Sequence, residues 1–215
     1  MNSTVAINGS PKAKDGVSGM LISQIEAITG TAVTVYQAAK LINHESVAGI
    51  LSDILKADTL LVVFPLYVDS LPAPLVKLFT LMEREAVNIS GQPPTVYAVC
   101  NCGFFEAEHN QLALNMVESF CDRSGLVWGY GIGVGGGGFV QSQSKNMSKG
   151  PAANIHAALQ ELGGSIKCNR TGIQNIFVTP KMPLFMYKMG GNIGWLKMAG
   201  KHGKRASLMA RPHIQ

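Results

Sequence analysis

Strand-like and helical segments alternate along the first three-quarters of this chain, which predicts a doubly wound α/β domain. Three observations carry the prediction. Short β-branched or aliphatic runs recur between segments with helical apolar spacing. One run, Leu60 to Phe64, is apolar throughout, as a strand buried on both faces is. Gly and Pro mark the junctions, so each segment is short enough to be one layer element.

The elements follow in order. Thr4 to Asn8 is a first strand, ended by Gly9-Ser10-Pro11. Ser18 to Ile28 carries Met20, Leu21, Ile25 and Ile28 on one helical face, and Gly30 stops it. Ala32 to Tyr36 is β-branched and aromatic, a second strand. Val47, Ile50, Leu51, Ile54 and Leu55 give an amphipathic helix before the third strand at Leu60 to Phe64. Pro72 to Glu83 is a helix with prolines in its first turn. Thr95 to Val99 is a fourth strand, followed by a long helix, Ala107 to Arg123, with Leu112, Met116 and Phe120 inward. Leu126 to Val134 is a fifth strand, ended by Gly135 to Gly138. Ser142 to Gly150 is polar and flexible, and Pro151 opens a helix to Leu162 that Gly163-Gly164 closes. Five β-α units imply parallel strands covered on both faces. In such a sheet ligands bind at the carboxyl ends of the strands, where the strand order reverses.

Composition narrows the class. Charged residues are 14 % of the 215, against roughly 25 % in an average soluble protein, so a large buried core is expected and disorder is excluded. The longest apolar run, Thr59 to Val68, contains a proline and falls short of the ~18 residues of a membrane span. No signal-peptide pattern opens the chain, so Cys100, Cys102, Cys121 and Cys168 read as reduced thiols and the expected location is cytoplasmic. Their spacing gives no metal site. The charge of +5 is uneven: residues 181–215 hold seven Lys or Arg and no acid.

Three loops at the predicted carboxyl edge carry the chemistry. The first, Gly9 to Gly19, has glycines, Ser10 and Ser18, Lys12 and Lys14, and a helix directly after it. Helix N–H groups, hydroxyls and a positive charge suit a phosphate, although such a loop also serves as an ordinary β-α turn. It is neither a Walker A loop nor a dinucleotide fingerprint. The second, Pro65 to Pro74, is apolar and proline-stiffened, a wall for a flat ring that Tyr67 could cover. The third, Asn101-Cys102-Gly103-Phe104-Phe105-Glu106, lets backbone approach a ligand at Gly103. Cys102 reads as a small residue in a tight turn rather than a nucleophile, and His109 as a structural helix-end residue. Gly131-Ile132-Gly133-Val134-Gly135-Gly136 spells Gly-x-Gly-x-x-Gly, but no helix follows directly, so it is set aside.

Taken together, Gly9-Ser10-Pro11-Lys12, Pro65-Leu66-Tyr67-Val68-Asp69-Ser70-Leu71-Pro72 and Asn101-Cys102-Gly103-Phe104 with Glu106, His109 and Asn110 resemble the NAD(P)H-dependent FMN reductase-like family of the flavodoxin-like superfamily. The resemblance spans residues 3–163. It implies a five-stranded parallel sheet in order 2-1-3-4-5 and an FMN phosphate held between Ser10 and Ser18. It places the isoalloxazine between Pro65–Val68 and Asn101–Glu106. The implied cofactor set is Ser10, Lys12, Val17, Ser18, Pro65, Leu66, Tyr67, Val68, Asn101, Cys102, Gly103, Phe104 and Glu106. Val17 stands where many relatives carry a polar residue. The implied activity is hydride transfer from NAD(P)H to FMN and onward reduction of a small-molecule acceptor: a quinone, an azo or nitro compound, or free flavin. The amides of Cys102 and Gly103 are expected beside the pyrimidine end, and no side chain is needed as a catalytic acid. A homo-dimer or tetramer is implied, with no nucleic-acid partner. The alternative is a non-enzymatic FMN-binding electron-transfer or sensing flavoprotein, against which the lack of an acidic face speaks.

Residues 181–215 exceed this minimal fold and form a basic, apolar C-terminal extension to the domain at 1–180. Two short helical pieces are expected, interrupted at Gly190-Gly191, that bury their apolar side against the body or a neighbouring subunit and leave the lysines as a positive rim able to attract the phosphates of NAD(P)H. Trp195 and the flanking lysines suit a membrane surface, but the two-glycine break disfavours one long surface helix.

Overall fold

A computed structural model describes residues 3–12, 16–89 and 91–203. The strands are β1 (Thr4–Asn8), β2 (Val33–Gln37), β3 (Thr59–Pro65), β4 (Thr95–Asn101), β5 (Val127–Val134) and β6 (Ile176–Val178). They form one parallel sheet in the order β2-β1-β3-β4-β5-β6. The helices are α1 (Val17–Thr29), α2 (Ala38–Leu41), α3 (Val47–Ile54), α4 (Ala73–Ala86), α5 (Gln111–Ser124), α6 (Gly137–Ser142), α7 (Ala153–Lys167) and α8 (Leu184–Lys201).

Side chains alternate across a strand, so the fully apolar β3 serves two cores at once. Leu60, Val62 and Phe64 pack with α2 to α5, while Leu61 and Val63 pack with α1, α6 and α7. Phe79 of α4 stacks on Phe120 of α5 at 3.9 Å between ring centres. Each central strand thus has a helix layer on both sides, and the carboxyl ends of β1, β3 and β4 converge on one edge.

Five expectations are corrected. The sheet has six strands, not five: three half-buried residues, Ile176 to Val178, add β6 beyond β5. A strand that short shows no periodicity in a sequence. The long fourth helix begins as a 3-10 turn, Ala107–Asn110, and only Gln111 starts α5. The buried side of α5 is Ala113, Leu114, Val117, Phe120 and Cys121, with Met116 partly buried against the core and Leu112 exposed. The glycine run after β5 is not a simple break, because Gly137–Ser142 winds into α6, and within the polar segment that follows Met147 is buried in the core. Gly163 does not end α7: a Cβ there would sit 2.6 Å from Ile28 Cγ2, so this glycine permits the α1–α7 approach instead. Finally, α8 is one continuous helix through Gly190 and Gly191. Glycine lowers helix stability by about 1 kcal/mol relative to alanine, which weakens a helix without terminating it.

The chain divides into two compact units, Met1–Lys181 and Met182–Gln215. Among the described residues no helix is long and apolar enough to cross a membrane.

Candidate functional site at the carboxyl edge of the sheet

β1 ends in a loop that folds on its own polar groups. Ser10 N–H donates to Asn8 Oδ1 at 2.9 Å, and Lys12 N–H donates to Ser10 Oγ at 3.2 Å. Gln37, opposite Asn8 in the β1–β2 register, donates through Nε2 to the carbonyls of Ser10 (3.3 Å) and Pro11 (3.1 Å). Ala13, Lys14 and Asp15 of the expected phosphate loop lie outside the described residues. At Gly16 the chain closes up, since a Cβ would meet Lys12 O at 3.1 Å and Ser10 Oγ at 3.2 Å. α1 starts there with no side-chain cap and no acid in its first turn. Its leading N–H groups therefore carry the partial positive charge of a helix end, with no acid within the first turn itself.

The loop after β3 is pinned at both ends. Leu66 N–H donates to Asn101 O at 2.8 Å, and Tyr67 and Ser70 exchange backbone hydrogen bonds of 3.0 and 3.1 Å. Val68 and Asp69 between them take left-handed backbone, at φ of 50° and 57°. A β-branched residue there is strained by roughly 1–2 kcal/mol. Val68 is 97 % exposed, so no packing among the described residues compensates. Strain of this kind gathers where a loop must present itself to a ligand.

The loop after β4 is tied to the glycine run. Cys102 N–H donates to Val134 O at 3.0 Å, while Gly136 and Gly137 N–H donate to Phe104 O (2.6 Å) and Cys102 O (2.8 Å). The expectation that the Cys102 amide faces a flavin is thereby corrected, because that donor is spent on β5. The Cys102 thiol is buried and held by Asn110 Nδ2 at 3.4 Å. Burial pushes its pKa up, against the opposing hydrogen bond from Asn110, so at neutral pH it stays a thiol and not a nucleophile. Gly103 has open space where a Cβ would be. Phe104 is half exposed and its ring lies 4.4 Å from the His109 ring. Glu106 is exposed.

Asn101 joins the three loops. Its Nδ2 donates to Ser18 Oγ at 3.0 Å and to Phe64 O at 2.9 Å, and its carbonyl accepts from Leu66. Ser18 is 1 % exposed, so its hydroxyl is an internal strut between α1 and β4. Pro65, paired with Asn101 in the β3–β4 register, completes this floor. Tyr67 and Phe104 are the half-exposed rings above it. The loops thus bring together a helix N-terminus, a serine-lined turn, an apolar wall and a glycine opening.

Sequence reasoning missed Asn8, Gln37 and Thr179. Asn8 is the last residue of β1, where a polar side chain after an apolar strand was a readable signal. Gln37 depends on strand pairing, which no local pattern reveals. Thr179 accepts from Ala107 N–H at 3.1 Å and thereby buttresses the β4 loop from the segment after β6. The Gly131 and Gly133 pattern is structural: a Cβ would sit 2.7 Å from Leu114 Cδ2 and 2.6 Å from Phe177 Cδ1 respectively. Among the described residues no group of three or more His, Cys, Asp or Glu could hold a metal.

No protein-family model matches the chain, and no curated protein does. Solved structures do. An apo NADH:FMN oxidoreductase superposes with a TM-score of 0.59 at 14 % identity, over 80 % of this chain and 92 % of its own. General stress protein 14 from Treponema denticola, solved in complex with FMN, gives 0.52 at 10 % identity, over 75 % and 99 %. A flavodoxin from Streptococcus pneumonia TIGR4 gives 0.51 at 10 % identity, over 79 % and 99 %. With its parallel sheet running β2-β1-β3-β4-β5 before the added β6, this chain has the flavodoxin-like fold.

Proposed function

We propose that the chain is an FMN-dependent oxidoreductase of the NAD(P)H-dependent FMN reductase-like family, reducing a small-molecule acceptor such as a quinone, an azo or nitro compound, or free flavin. The observation that carries the reading is the Asn101 junction, which gathers three loops of complementary chemistry at the β1/β3 switch point. Two neighbours of the same fold are named for FMN, one as an oxidoreductase and one as a complex.

The residues fit the group. The start of α1, with no side-chain cap and no acid in its first turn, suits a phosphate dianion together with Ser10 and Lys12. Pro65, Leu66 and Tyr67 offer an apolar flank, and Gly103 admits close backbone approach. FMN bound there supplies the hydride and electron chemistry. The chain's own part is positional. Ser10, Lys12 and the α1 N–H groups hold the phosphate. Asn101 fixes the spacing between the β3 and β4 loops. Tyr67 and Phe104 bound the space for nicotinamide and acceptor. Cys102 stays protonated and takes no covalent part.

The test is the absorption spectrum of protein reconstituted with flavin, followed by anaerobic titration with NADH and NADPH. FMN bands that bleach on titration support the reading. FAD as the sole tightly bound flavin, or no flavin uptake, refutes it. FMN that binds but is reduced by neither nucleotide would make the chain a flavin carrier rather than an enzyme.

A further inference from the structure

The strongest feature outside the candidate site is α8. A helix with apolar side chains around most of its surface is normally found in a protein core or in lipid. α8 has that surface, yet none of its 18 residues is buried. Phe185 and Trp195 are each 67 % exposed, and Leu184, Met186, Met189, Ile193, Leu196 and Met198 are exposed as well. Phe185, Met189, Ile193 and Leu196 follow one another at four-, four- and three-residue steps, which places them on one side of the helix. Lys188 lies to one flank of that side, Lys197 and Lys201 to the other.

Charge indicates what covers this helix. Met182–Gln215 contains six Lys or Arg and no Asp or Glu. Lys204, Arg205 and Arg211 among them lie outside the described residues. The charge of this segment, all positive, is complementary to an anionic surface. A spanning role is closed, because the helix is not apolar enough to cross a bilayer. The objection that two glycines break the helix is also removed, since it runs unbroken past them.

We propose that α8 is a monotopic anchor that lies in the surface of an anionic lipid bilayer. Phe185, Met189, Ile193 and Leu196 enter the acyl boundary, Trp195 sits at headgroup depth, and the lysines reach phosphate with their stems along the apolar zone. The anchor is independent of the flavin reading and holds whether or not the chain proves to be an enzyme.

The experiment is co-sedimentation of the full chain with phosphatidylcholine vesicles, with and without phosphatidylserine. Binding is expected to the anionic vesicles only, weakening steeply with salt. The variant K188Q/K197Q/K201Q should lose roughly fivefold in partitioning per lysine. The variant F185S/I193S should abolish binding at any salt. Tryptophan fluorescence should shift to the blue on anionic vesicles in the native chain and not in W195F. Circular dichroism of each variant checks that the α/β unit is intact. Absence of binding to anionic vesicles overturns the proposal. So does self-association of the native chain in sedimentation velocity that F185S/I193S abolishes without any vesicle binding, which would make a second copy the cover. Equal binding to both vesicle types would overturn the anionic specificity.

Discussion

Asn101 on β4 donates a buried hydrogen bond to Ser18 on α1 at 3.0 Å, and the same amide nitrogen serves Phe64 O of β3 at 2.9 Å. One side chain therefore sets the separation of three elements whose loops form the candidate site. Asn101→Ala should leave the Phe64 carbonyl and the Ser18 hydroxyl without this donor, at roughly 1–3 kcal/mol for each buried group so abandoned. Ser18→Ala removes one acceptor and should destabilise by about 1 kcal/mol. Because the two share a bond, their effects should be less than additive in urea unfolding. Strict additivity would show that the bond contributes nothing.

The phosphate end of the site gives a second expectation. Lys12 stands in the turn whose backbone is already fixed on Ser10 Oγ, so changing its side chain leaves the loop bonded. Lys12→Gln should weaken FMN binding about tenfold through loss of a charge-assisted contact. Riboflavin, which lacks the phosphate, should bind both forms alike. A parallel loss for riboflavin would locate the effect in the loop and not at the phosphate.

How much of this was legible in the residues differs by element. The five long strands and α1, α3 and α4 rest on local periodicity and appear close to where that periodicity puts them. β6 and α6 rest on tertiary partners: β6 pairs with Ile132 to Val134, and α6 is fastened by Gly136 and Gly137 to the β4 loop. No local pattern encodes such partners. The same division runs through the site. The glycines, prolines and serines of the three loops announce their turns. By contrast, the burial of Ser18 and the use of the Cys102 amide by Val134 follow only from how strands lie side by side.

Buried acids set the pH response. Burial raises the thiols of Cys100, Cys102 and Cys121, raises Tyr130, and pushes Tyr97 up to about 12. Above roughly pH 8.5 the unfolded chain sheds these protons first and so binds fewer than the folded one. Stability should then fall as pH rises from about 8.5. Asp58 acts in the other direction: hydrogen bonds from the Ser3 amide and hydroxyl hold its carboxyl below the ordinary value. Its contribution should be present above about pH 4 and fade as pH drops through its lowered pKa. Thermal melts of wild type and Asp58→Asn across this range check both limbs. The variant should lose only the acid-side dependence.

Thiol labelling reads the same burial residue by residue. Cys168 is exposed, whereas Cys100, Cys102 and Cys121 are buried with raised pKa values. Iodoacetamide at neutral pH should therefore modify Cys168 alone in the folded chain, and all four only in denaturant. Peptide mapping by mass spectrometry separates the sites. Rapid labelling of Cys102 in the native chain would contradict its enclosure beneath the β4 loop.

The glycines of β5 test whether the Gly-x-Gly-x-x-Gly letters serve packing. A Cβ on Gly131 would sit 2.7 Å from Leu114 Cδ2 and 3.1 Å from Cδ1, both on the buried face of α5. Leu114 is fully buried and its side chain must give way within a packed core, so Gly131→Ala should destabilise by roughly 1–3 kcal/mol. Leu114→Ala removes the opposing atoms and costs about 2–5 kcal/mol alone through the cavity it leaves. In the double variant the new methyl group occupies part of that cavity. The pair should therefore be more stable than the sum of the two single losses by on the order of 1 kcal/mol. Urea unfolding of the four proteins in one cycle measures the coupling. Gly131→Ala with unchanged stability and a specific loss of nucleotide binding would instead return these glycines to a ligand-facing role.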